Sequence, residues 1–176
     1  IITLQTEHKA VLDTCDALER QAANITRLEV DANGLPDLSA IEKAIQPTTI
    51  LIAMMYANNE TGVIMPVKEV GKLAKQHGVL FFTDATQAVG KIPVDVTEDG
   101  IGIMAFSPHK MYGPKGIGAL YVRRKNPRVK LKAQIDGGGH ERGIRSGTLN
   151  VPGIVGFGKA CEICMNEMAQ DAGRLK

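Results

Sequence analysis

The chain has 176 residues, 44% of them hydrophobic and 23% charged, with a formal net charge of +2. That length suits one domain burying about 70% of the surface its unfolded form exposes, and the composition belongs to a folded globular protein rather than a disordered or fibrous one. A charge so near balance makes no electrostatic case for stable nucleic-acid binding, and no apolar run approaches the ~20 residues of a membrane helix.

Residues 1–6 lack the basic start, apolar middle and cleavage site of a secretory peptide. The absence of an initiating Met is what a fragment or a processed product would show. Cys15, Cys161 and Cys164 are three and scattered, which makes no disulfide framework and favours a reducing, cytoplasmic setting.

In chain order, Val11, Cys15, Leu18 and Ala22 recur at helical intervals and predict an amphipathic helix over residues 7–23. Residues 25–30 alternate as a strand does. Asn33-Gly34 marks a turn, and Asp37 caps a helix that runs to residue 45. Residues 49–55 form a continuous apolar run, the pattern of a strand covered on both faces, and lead into a polar loop over 56–62. A helix over 66–77 has Pro66 in its first turn and Gly78 just past its end. A strand over 79–83, a turning segment near 86–89 and a strand over 101–106 follow. Residues 116–122 read as a further strand whose early glycines allow close backbone approach. A basic stretch 123–132, a glycine-rich loop 137–147 and a final helix from Pro152 complete the chain.

Strands alternating with helices imply parallel pairing through right-handed crossovers, hence an α/β fold with a mostly parallel sheet and helices on both faces. Ligands of such sheets sit beyond the carboxyl ends of the strands. Asn58-Asn59, residues 84–87 and residues 107–110 are therefore expected along one edge. No internal repeat, low-complexity tract or linker divides the chain.

Two residues carry the chemical reading. Lys110 alone is most often a solvated surface lysine, but at the end of an apolar strand beside Ser107 and His109 it can be held partly desolvated and attack a carbonyl as a free amine. Asp84 reads either as a cap for the turn after its strand or as a fixed anion that keeps a ring nitrogen protonated. At about 3 Å and an effective dielectric near ~20 that attraction is ~5 kcal/mol before desolvation. A carboxylate facing a pyridinium nitrogen and an imine-forming lysine are the two protein groups a pyridoxal phosphate site most needs. Cys161-x-x-Cys164 falls inside the final helix without further ligands at zinc spacing, and reads as two small half-buried residues rather than a redox or metal site.

The runs Thr6-Glu7-His8-Lys9-Ala10, Asn58-Asn59-Glu60-Thr61-Gly62, Asp84-Ala85-Thr86-Gln87, Ser107-Pro108-His109-Lys110-Met111-Tyr112-Gly113-Pro114-Lys115-Gly116, and Gly137-Gly138-Gly139-His140-Glu141-Arg142 with Arg145-Ser146-Gly147-Thr148 together resemble the cysteine desulfurases. These are pyridoxal-phosphate enzymes of the class V aminotransferase fold, and the branch resembled serves iron-sulfur cluster assembly. The likeness extends over nearly the whole chain in the same order. It implies an aspartate-aminotransferase-like architecture, with residues 1–150 a partial pyridoxal-phosphate-binding large domain and 151–176 a helix leading toward a small domain that is absent.

By that resemblance Lys110 is the Schiff-base lysine and later the proton shuttle, and Asp84 pairs with the pyridine nitrogen. Gln87 hydrogen-bonds the phenolate oxygen of the ring, and His8 stacks on its face and takes part in proton transfer. Ser107 and His109 hold the phosphate, and Asn59 lies near the substrate carboxylate and the ring oxygen. Thr148 reaches the phosphate of the neighbouring subunit's cofactor, which implies a homodimer. Plainer readings exist for each: His8 as an early helix residue, Ser107 and Thr148 as turn hydroxyls, Asn59 as a loop residue of unusual backbone angles, Gln87 as solvated. Arg142 and Arg145 fit a dimer-contact loop equally well.

The resemblance further implies L-cysteine as substrate, L-alanine as product, and sulfur carried as a persulfide on an enzyme cysteine toward an acceptor or iron-sulfur scaffold protein. The family's phosphate-wrapping upstream loop, its persulfide cysteine and its carboxylate-binding arginine are not among these residues, and none of the three cysteines here stands in the nucleophile's context. Pro108 departs from the glycine more common between the serine and the histidine. A selenocysteine lyase or aminotransferase of the same fold is the nearest rival reading. A non-catalytic dimerisation or partner-binding scaffold is the rival from another class.

Overall fold

The computed structural model describes residues 1–174; Leu175 and Lys176, which the expected terminal helix included, lie outside the described residues. Six strands, β1 (Ile2–Leu4), β2 (Thr26–Leu28), β3 (Leu51–Ala53), β4 (Leu80–Asp84), β5 (Ile103–Phe106) and β6 (Ala119–Val122), form one sheet in the order β2-β1-β3-β4-β5-β6. Every pairing is parallel except β5 with β6. β6 turns back because the chain between Phe106 and Ala119 holds only a single 3-10 turn, Pro108–Lys110, and no α-helix, whereas a parallel return usually crosses the sheet through one.

Local sequence explains the helices. α1 (Lys9–Glu19) starts at His8, whose Nδ1 accepts the Ala10 N–H. It stops four residues short of the expected end because Ala22 turns left-handed at φ 67° while the Ala23 N–H reaches back to the Leu18 carbonyl. α2 (Leu38–Ala44) is capped by Asp37 through the Ser39 N–H, as the sequence predicts. α3 (Val67–Gln76) begins after Pro66, and α4 (Val151–Arg174) is the long terminal helix. Among the described residues no helix is long and apolar enough to cross a membrane.

The step from β1 to β2 runs one way across the sheet, whereas β2 to β3 and β3 to β4 run the other. Right-handed crossovers then place α1 on one face and α2 and α3 on the opposite one. The α2/α3 face is the main core: Ile2, Ile52 and Phe81 lie in register across three strands and cluster with Ile41, Val70 and Ala74. Each fully buried large side chain there contributes roughly 1.5–3 kcal/mol.

β1 escaped the sequence reading, since three residues are too few to show a period. All three are buried, and the strand is central, paired on both sides. The chain order reverses beside it, so the gap between the ends of β1 and β3 is the switch point where such sheets hold ligands.

Candidate active site

A cavity of about 250 Å³ opens beyond the carboxyl ends of β1, β3, β4 and β5. His8 and Ala10 enter it from the end of β1, Met55, Ala57 and Asn59 from β3, Asp84, Thr86 and Gln87 from β4, and Ser107, His109 and Lys110 from β5. Of the residues to which the resemblance gives a role at the cofactor, all meet there except Thr148, which is exposed on the loop before α4 and does not line it.

Asp84 ends β4 half buried, and its Oδ1 accepts the Thr86 N–H at 3.0 Å. The cap and the cavity anion are thus one residue: one oxygen closes the turn and the other remains for the cavity. His8 works in the same double way. Its Nδ1 accepts from Ala10 at 3.1 Å, so the ring proton sits on Nε2. Gln87 is half buried, and its Oε1 accepts from Lys91 Nζ at 2.6 Å.

Ser107 Oγ and His109 Nδ1 are 2.6 Å apart, and the same hydroxyl lies 3.3 Å from the Ile117 carbonyl, which ties the end of β5 to the approach to β6. Pro108 is buried at the first position of the 3-10 turn, where a missing N–H costs no bond. Its carbonyl accepts from both Met111 and Gly113, so the proline suits this turn and displaces nothing. Lys110 closes the turn and lines the cavity but is exposed, where partial desolvation was expected. The reason is its place at the rim, on a short turn with no element above it among the described residues.

α4 steadies this edge from outside. Phe157 meets Phe106 edge-on with centroids 5.5 Å apart. A Cβ built on Gly90 would fall 2.8 Å from Cys164 Sγ and 3.0 Å from Met111 Cβ, so α4, the turn after β4 and the turn bearing Lys110 pack without spare room. Cys161 and Cys164 are half-buried free thiols inside α4, as expected.

Several contributors were not legible beforehand. Glu7 is 5% exposed; its Oε1 accepts the Met55 N–H at 2.7 Å, while Oε2 is buried without a partner in the structure described. Burial, eased by the Met55 N–H and reinforced by the charge of Asp84, pushes its carboxyl up to about 8. Adjacency to His8 was the only signal, and it says nothing of burial. Asn58, not Asn59, builds the loop after β3: its amide donates to the Thr6 carbonyl and its oxygen accepts from Glu60 and Thr61, freeing Asn59 for the cavity. In the glycine-rich loop, Arg142 adopts φ 59° and Arg145 Nη1 bonds the Gly147 carbonyl; both are exposed and neither lines the cavity.

Residues 1–175 match the family described as aminotransferase class-V. A cysteine desulfurase IscS from Anaeromyxobacter sp. (strain Fw109-5) is 56% identical over 175 residues, 99% of this chain but 43% of that relative. The chain therefore spans less than half the length of the curated relatives it matches. Among solved structures, a NifS-like protein superposes with a TM-score of 0.90 at 41% identity, covering 96% of this chain and 46% of that one. SspA in complex with cysteine superposes at 0.86 with 43% identity, covering 92% and 46%. With the family matched over residues 1–175 and the backbone superposing on a NifS-like protein over 96% of the chain, the chain belongs to the class-V aminotransferase family.

Proposed function

We propose that this chain supplies the cofactor-binding part of a pyridoxal-phosphate-dependent cysteine desulfurase, which converts L-cysteine to L-alanine and passes the sulfur to an enzyme cysteine as a persulfide. The observation that carries the reading is one cavity in which a single carboxylate, a single amine, two amides and two imidazoles converge from four strand ends. That donor set fits the cofactor: an anion for a ring nitrogen, an amine for an aldehyde, and a hydroxyl with an imidazole for a phosphate.

Bound here, pyridoxal phosphate supplies a carbonyl carbon that an amine can join and a ring that accepts electron density when its nitrogen is protonated. Asp84 holds that proton at the ring nitrogen, and the Thr86 N–H on Oδ1 keeps the carboxylate from swinging away. Lys110 Nζ would provide the amine for the cofactor's aldehyde and would move a proton at the substrate α-carbon. Gln87 donates to the ring oxygen, and Asn59 orients the substrate carboxylate beside it. His8 covers the ring face with its proton at Nε2, ready to take part in transfer. Ser107 and His109, held together at 2.6 Å, bind the phosphate.

The same reading makes the protein a cytoplasmic homodimer in which Thr148 reaches the neighbouring subunit's phosphate, with a sulfur acceptor or iron-sulfur scaffold as partner. The relatives named IscS and the likeness to SspA bound to cysteine support the substrate. Borohydride treatment of the intact, cofactor-loaded protein tests the core of the proposal. A pyridoxyl group fixed on Lys110 is expected, and a label on another lysine or on none overturns it. Alanine from cysteine, with sulfide released once a thiol reductant is added, supports the reaction. Amino transfer to a keto acid, or turnover confined to selenocysteine, replaces it.

A further inference from the structure

We infer that Lys91 is a positioning residue for the cofactor site, holding the Gln87 amide with its nitrogen turned toward the cavity. The inference rests on the pyridoxal phosphate reading of that cavity. After β4 the backbone coils through local hydrogen bonds: Ala88 and Val89 donate to the Ala85 carbonyl, and Lys91 and Ile92 to the Ala88 carbonyl. This winding brings residues four apart onto one side, and Lys91 Nζ donates to Gln87 Oε1 at 2.6 Å.

An ammonium offers only hydrogens, so only the oxygen end of the amide can face it. Nε2 is then the end left for the cavity that Gln87 lines. An unanchored glutamine presents its oxygen or its nitrogen with similar ease, and an amide oxygen facing an anionic ring oxygen repels it. Lys91 as a residue is exposed, yet burial and then the charge of Lys110 push its ammonium below the usual lysine value. What places its charged end beside the site is the 2.6 Å bond to Gln87, a residue that lines the cavity. Gly90, the residue between the coil and Lys91, is in turn wedged against Met111 and Cys164, which fixes where the Lys91 stem begins.

The test is a double-mutant cycle on the intact protein, reading the affinity of the apoprotein for pyridoxal phosphate and the absorbance maximum of the bound cofactor. Lys91→Met should weaken binding by about tenfold, equivalent to ~1.4 kcal/mol, and shift the maximum. Lys91→Arg keeps a donor-only cation and should stay within about twofold of wild type. In a Gln87→Ala background Lys91→Met should change affinity by less than about twofold, because the lysine acts through the amide. An unchanged affinity in Lys91→Met, or the same tenfold loss with Gln87 removed, overturns the inference while wild-type protein still carries a borohydride label on Lys110. Absence of that label from wild type overturns the pyridoxal phosphate reading beneath it.

Discussion

Replacing Glu7 by glutamine should flatten part of the pH dependence of folding. Glu7 is buried at the end of β1, with Oε1 on the Met55 N–H and Oε2 unpartnered in the structure described. Its carboxyl is pushed from the ordinary 4.5 to about 8, by burial above all, against the Met55 N–H and with the Asp84 charge. The folded state thus keeps a proton that the unfolded chain releases. Stability from this group is fullest below the unfolded value and falls as pH climbs from there to the folded value. Between about pH 5 and about pH 8 the loss is on the order of 3–4 kcal/mol, at ~1.36 kcal/mol per unit of pKa difference. Glutamine cannot ionise, and its carbonyl oxygen still accepts from Met55. Urea denaturation of wild type and Glu7→Gln at both pH values isolates the effect, since other titrating groups cancel in the difference. The variant should gain on the order of 3–4 kcal/mol relative to wild type on going to the higher pH. A difference in stability that is the same at both pH values refutes the reasoning.

Asp84→Asn keeps an oxygen for the Thr86 N–H but removes the anion; affinity for pyridoxal phosphate should fall by about 10- to 100-fold with little change in stability, the range of a charge-assisted hydrogen bond. Equal affinity, measured by absorbance titration, would remove Asp84 from the cofactor. Gly90→Ala adds a Cβ at φ 79° against Cys164 Sγ and Met111 Cβ, and a destabilisation of ~2–3 kcal/mol is expected in urea melts. In Gly71→Ala the new methyl overlaps the Asp99 carbonyl oxygen, where α3 touches the loop before β5. A larger loss, ~3 kcal/mol or more, is expected there, and a variant as stable as wild type would show that this approach is not close.

Helices were readable because their signals are local. Asp37 caps α2 two residues from its partner Ser39, and the apolar stripe of α1 lies within eleven residues. The edge of the sheet carrying the site was readable for a related reason: apolar runs ending in polar clusters, at Asn59, Asp84 and Lys110, mark strand ends, and the crossover rule sends those ends to one side. What failed was whatever depends on distant partners. β1 is three residues long and exists as a strand because β2 and β3 flank it. β6 runs antiparallel because of what the connection before it lacks, which no pattern inside the strand records.

The sequence by itself determined which groups are present and in what order: an acid after one strand, a lysine after the next, a histidine opening the first helix. Those are properties of a chain read in one dimension, and the resemblance carried on them extends no further. Only the tertiary structure decided that Glu7 is buried with an oxygen unpaired among the described residues, that Lys91 holds one end of Gln87, and that Lys110 stands exposed at the rim. Burial is set by residues far along the chain, such as Met55 against Glu7, and free energies of charge depend on those surroundings rather than on the residue's own identity.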